Sequence, residues 1–93
     1  MTRPRKCRRI RWRAEATYFK PRGIPMKQLE EVILIKEEIE AVRLKDYLGL
    51  DQIDAAKKMN ISQSTFQRIL VSTRKKIAES LIKGKALKIE DDL

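Results

Sequence analysis

The sequence predicts a small, mainly helical domain organised around a helix-turn-helix, preceded by a basic N-terminal arm and carrying one short pairing of two β-strands. Three observations lead there. The 93 residues suffice for one domain with a modest core. Apolar residues recur at helical spacing through the second half, interrupted at "MNIS", residues 59–62, where neither Gly nor Pro marks the break. Finally, 22 Lys and Arg against 13 Asp and Glu give a net charge of +9 with no His, which favours a polyanionic partner, nucleic acid ahead of an anionic membrane.

The charge is unevenly spread. Residues 1–13 carry seven basic and no acidic side chains, 28–54 three basic and eight acidic, and 55–88 nine basic and one acidic. Seven like charges without apolar periodicity predict an arm, "TRPRKCRRIRWR", that is disordered alone and orders on a partner. The basic start is followed by no apolar stretch, and no run approaches the ~20 residues of a spanning helix, so neither a signal peptide nor a membrane partner is expected. A single Cys7 agrees with a reducing, cytoplasmic location. Residues 1–27 therefore read as arm and Pro/Gly loop, and 28–93 as the folded domain.

Element by element, "ATYFKPRGIPM" is an extended loop, since Pro21, Gly23 and Pro25 exclude a helix or a central strand. "LEEVILI", residues 29–35, is rich in β-branched residues and reads as a short strand. From Lys36, "KEEIEAVRLKDYLGL" reads as a first helix with Ile39, Ala41, Val42, Leu44 and Leu48 on its apolar face and Gly49 as its end. Asp51 caps a second helix through about Met59, and a third runs from Ser62 to Gly84. "KALKIED" then offers a strand that can pair with residues 29–35, within one chain or between two.

A DNA-reading helix-turn-helix needs a tight turn, a small contact residue and a second helix whose N-terminal half faces outward. Ala56 supplies the small residue, Met59, Ile61, Phe66 and Ile69 the apolar pegs, and Ser62 the N-cap of the second helix. Asn60 takes the turn position, because Asn tolerates positive φ through local side-chain bonding. With Phe66 inward, about 100° per residue puts Ile69, Leu70, Thr73 and Ile77 on its side and Ser64, Arg68 and Lys75 opposite, flanked by Gln63, Thr65 and Gln67. Gln and Arg carry paired groups that match adenine and guanine edges, so Gln63, Ser64, Thr65, Gln67 and Arg68 are the candidate base readers. Candidate phosphate contacts are Ser62, Lys57, Lys58 and Lys75, with Arg3, Arg5, Lys6, Arg8, Arg9, Arg11 and Arg13 of the arm.

"FKPRGIPM", "LEEVILI", "EAVRLKDYLGLDQIDAAKKMNISQSTFQRIL" and "RKKIAESLIKGKAL" together resemble the small prokaryotic family catalogued as domain of unknown function 134, whose core is similar to the region-four helix-turn-helix of sigma factors. The resemblance spans Arg3 to Ile89. It implies a DNA-binding protein of bacteria or archaea, with transcriptional regulation as its expected role. Asn60 stands where many similar members carry Gly.

No enzyme constellation is visible, and no cofactor or metal is expected: there is no His, and the one Cys cannot make a zinc set. Glu30, Glu31, Glu37, Glu38 and Glu40 read as a solvated acidic face rather than acid-base machinery. Cys7 among basic residues is a redox-sensing candidate or a spectator thiol, and Trp12 either stacks in a nucleic acid or anchors the arm to the core. Rival readings are an RNA- or nucleoid-binding protein and an adaptor that docks on RNA polymerase through residues 28–54. Val71, Ala78 and Ile82 lie on the side of the third helix opposite Phe66, so either the Pro/Gly loop or a second copy in a homodimer should cover them.

Overall fold

The computed structural model describes residues 17–90, so the readings of the arm, including Cys7 and Trp12, lie outside the described residues. Among the described residues the architecture is mostly helical, with three α-helices and one small sheet. Strand β1 spans Tyr18–Phe19, β2 Glu31–Ile35 and β3 Ala86–Glu90; helix α1 spans Lys36–Val42, α2 Gln52–Met59 and α3 Gln63–Lys83.

The sheet has the order β1-β3-β2, antiparallel for the first pair and parallel for the second. The expected pairing of two strands is present within one chain, but a third strand from the loop joins it: Tyr18 opposes Lys88, Phe19 opposes Leu87, and the Ile89 N–H donates to Thr17 O at 2.9 Å. β3 is thus bonded along both edges and cannot pair with a second chain as the sequence allowed. On β2, Val32 and Leu34 are buried while Glu31, Ile33 and Ile35 are exposed, the period of two that a sheet with one covered face imposes.

The first helix is shorter than its sequence pattern. After Val42 the backbone widens into a π turn over Arg43–Tyr47, closed by Leu48 N–H donating to Arg43 O at 2.9 Å. That extra residue per turn rotates Leu48 out of the apolar face, where it is half exposed.

A second correction concerns the acids. Glu37, Glu38 and Glu40 are buried, not solvated. Glu38 accepts from the Ile35 N–H at 3.0 Å, capping α1, and from Lys76 Nζ at 2.9 Å; that ammonium also donates to Ile33 O at 3.0 Å. Glu40 takes the Arg43 guanidinium in two bonds of 2.9 and 3.0 Å. Buried carboxylates need such partners, because an unpaired charge away from water is costly.

The core lies where the three helices meet. Ala41, Leu44, Ala55, Ala56, Met59, Phe66 and Leu70 form one cluster, with Val42, Leu50, Ile61 and Ile69 packed around it. Three alanines in that set let the helix axes come close, and Phe66, fully buried, fills the space between them.

One tie across the surface is pH-sensitive. Arg74 forks onto Asp46, with Nε to Oδ2 at 3.1 Å, and this hydrogen bond, aided by charge attraction, holds the Asp46 carboxyl below the usual carboxylate range. The folded-state pKa is depressed, so the stabilisation is complete above the unfolded carboxylate value and disappears as pH falls through the folded one. Thermal melts of wild type and Asp46→Asn should therefore differ at pH 7 and converge as pH falls through the lowered carboxyl range of Asp46.

Candidate nucleic-acid interface

α2 and α3 are joined by three residues, and local chemistry explains the turn. Asp51 opens α2 by accepting from the Asp54 N–H at 2.8 Å. Asn60 closes it in the left-handed region, φ 62° and ψ 44°, while its N–H donates to Lys57 O and the Ile61 N–H donates to Ala56 O at 3.1 Å. These two bonds make a Schellman ending, with Ile61 folded back towards the core. Ser62 then caps α3, its Oγ accepting from the Thr65 N–H at 3.2 Å. At the far end Gly84, φ 68°, stops α3 with the Lys85 N–H on Ser80 O.

The sequence-derived wheel for α3 holds. Phe66, Leu70 and Thr73 are buried and Ile69 and Ile77 half-buried, whereas Gln63, Ser64, Gln67, Arg68 and Lys75 are exposed. Thr65 departs from the outward set: it is half-buried, and its Oγ1 accepts from Ser62 Oγ at 3.0 Å. Its hydroxyl belongs to the cap. Ser64 Oγ also approaches Ser62 Oγ, at 3.3 Å.

The cations of the domain divide by partner. Arg43, Arg74, Lys76 and Lys85 hold Glu40, Asp46, Glu38 and the Glu30/Glu79 pair respectively. Arg68, Lys57, Lys58 and Lys75 are exposed and have no hydrogen-bond or ion-pair partner among the described residues. The exposed surfaces of α2 and α3 therefore carry positive charge along with the Gln and Ser side chains of α3, with Lys75 also acting at longer range on Glu79. Acids are absent from the exposed face of α3 until Glu79.

Further along that face Val71, Ala78 and Ile82 are exposed, with Ile82 at 82%. Among the described residues nothing covers them. The Pro/Gly loop instead meets the end of α3, where Phe19, Lys20 and Pro21 line a cavity of about 270 Å³ with Ser80 and Leu81. Leu81, 75% exposed, faces that cavity and the loop rather than the stripe. No helix among the described residues is long and apolar enough to cross a membrane.

Comparison with known proteins agrees with the resemblance in the sequence. Residues 1–92 match the family described as "Protein of unknown function DUF134". A UPF0251 protein of Dehalococcoides mccartyi is 59% identical over 97% of this chain and 77% of its own length. UPF0251 proteins of Desulforudis audaxviator and Moorella thermoacetica are 54% and 51% identical over 97% of this chain, which spans 59% and 60% of their lengths. No solved structure matches. With the family match running almost end to end and relatives above half identical, the chain belongs to the DUF134 family, whose curated members carry the name UPF0251.

Proposed function

We propose that this chain binds duplex DNA sequence-specifically as a transcriptional regulator, without catalysis, using α2 and α3 as a helix-turn-helix of the sigma region-four kind. The observation that carries the reading is the two-sided character of α3. Its inner side is locked by Phe66 and Leu70, both fully buried, while Ser64 and Arg68 opposite them, and Gln63 and Gln67 on the flanks, are exposed along its first two turns. A rigid helix with free Gln and Arg side chains at its N-terminal half suits the major groove, whose base edges present paired donors and acceptors. Lys57, Lys58 and Lys75 flank that half and suit phosphates, which supply most of the affinity and orient the protein.

Selection of bound sequences from random duplex DNA tests the reading. A sharp consensus is expected. Flat enrichment favours nucleoid- or RNA-type binding through charge alone, and no retention favours an adaptor that docks on polymerase.

The exposed stripe Val71, Ala78 and Ile82 adds a homodimer to the proposal. Sedimentation at micromolar concentration should show a species heavier than the 10.9 kDa chain that Ile82→Glu dissociates. A 10.9 kDa species for both proteins removes the dimer.

A further inference from the structure

The space between α3 and the sheet is closed on the β2 side and open on the β1 side. Val32, Leu87 and Phe19 stand side by side across β2, β3 and β1, so their side chains share one face of the sheet. That row loses its cover in steps: Val32 is 9% exposed, Leu87 half-buried and Phe19 55% exposed. α3 stops beside it at Gly84, and Lys20 and Pro21 border the gap without filling it. The result is the cavity of about 270 Å³ among Phe19, Lys20, Ser80, Leu81, Lys85 and Leu87. Small-molecule sites begin near ~300 Å³, so the space suits a small ligand rather than a large one.

The chemistry of the wall defines the kind of ligand. Ser80 is buried, and its Oγ has no hydrogen-bond partner among the described residues. A hydroxyl on a helix has a ready acceptor in the carbonyl four residues back, and Thr73 of α3 uses it, donating to Ile69 O at 2.7 Å. Ser80 makes no such bond, although an unpaired buried hydroxyl is costly. Rotation about one side-chain bond is enough to turn it to an acceptor that enters the cavity. Of the two ammonium groups on the wall, Lys85 is held by Glu79 at 2.6 Å and Glu30 at 3.0 Å. Lys20 donates to the carbonyls of Ile24 at 2.7 Å and Pro21 at 3.4 Å, and its charge meets no carboxylate among the described residues. An O–H donor and an uncompensated ammonium together recognise an anionic oxygen, while Phe19, Leu81 and Leu87 recognise an apolar body.

We propose that this cavity binds a small carboxylate with an apolar body, a short aliphatic or aromatic acid. The body lies between Phe19 and Leu81 and covers two large apolar side chains that are otherwise exposed. The carboxylate accepts from Ser80 Oγ and is attracted by Lys20. The site goes beyond the duplex-binding reading and stands without it.

Titration of the full chain with hexanoate, followed by amide NMR shifts, tests the site. Acetate supplies the charge without the body, and hexanol the body without the charge. Hexanoate should shift the amides of Phe19, Lys20 and residues 80–87 and bind more tightly than either control. Ser80→Ala removes a hydroxyl that has no partner in the free protein, so this variant should melt at or above the wild-type temperature. It should nonetheless bind hexanoate about tenfold more weakly, the effect of one hydrogen bond to a charged group. Lys20→Gln, at an exposed position, should keep the fold and weaken hexanoate about threefold at low salt while leaving hexanol unchanged. Hexanoate binding no better than acetate, shifts scattered over other basic surfaces, or equal affinity in wild type and Ser80→Ala overturns the proposal. So does a Ser80→Ala chain that melts well below wild type, since its hydroxyl would then be bonded already, and so does the absence of binding by all three probes.

Discussion

Phe66→Ala should cost about 3 to 5 kcal/mol of folding free energy, the range for deleting a fully enclosed aromatic side chain. Phe66 has no exposed surface, and its neighbours Leu44, Met59 and Leu70 are equally enclosed, so the site cannot collapse cheaply onto the void. In a domain this small the loss is a large share of a total near 5 to 15 kcal/mol and should lower the melting temperature by on the order of 20 °C. Phe66→Leu retains most of the volume and should cost less than half as much. The exposed Ser72, outside the proposed dimer stripe, provides the control: Ser72→Ala should stay within about 0.5 kcal/mol. If Phe66→Ala and Ser72→Ala melted alike, the inner side of α3 would not be what holds the corner together. DNA affinity should track the Phe66 series through the fraction folded, because Phe66 faces away from Ser64 and Arg68 on the helix wheel.

What the sequence disclosed and what it withheld differ by range of interaction. Asn60 in the left-handed turn, Asp51 and Ser62 as caps and Gly84 as the stop are decided within four residues of chain, and each is where local chemistry predicts it. The inward set Phe66, Leu70 and Thr73 follows from helical period alone. The buried acids were hidden because Glu38 is matched by Lys76, 38 residues away, and an acid-rich first turn looks the same in sequence whether solvated or enclosed. β1 has two residues, too few to show a period, and exists because β3 offers it an edge. Thr65 departs from its expected outward position for the opposite reason. Its hydroxyl has a nearer use in the cap of its own helix than any partner beyond it. Arg68 lies among the legible residues: its outward position is set by period, and its freedom from partners by the absence of an acid within reach.

That freedom sets the second large effect. An exposed Arg without an ion pair contributes little to folding, so Arg68→Ala should melt like wild type. If Arg68 makes a bidentate contact with a guanine edge, the same substitution should weaken binding at the selected site by about 1 to 3 kcal/mol and relax preference at one base position. Binding to unselected duplex rests on phosphates and should change by the smaller amount due to one lost charge. The affinity of Arg68→Ala for the selected site relative to a scrambled duplex, at fixed salt, is the measurement closest to the claim that the outer side of α3 reads bases. A fall of about tenfold or more in that ratio, confined to duplexes carrying the guanine, is the predicted result. Equal losses on selected and scrambled duplexes would contradict it and make Arg68 a phosphate contact.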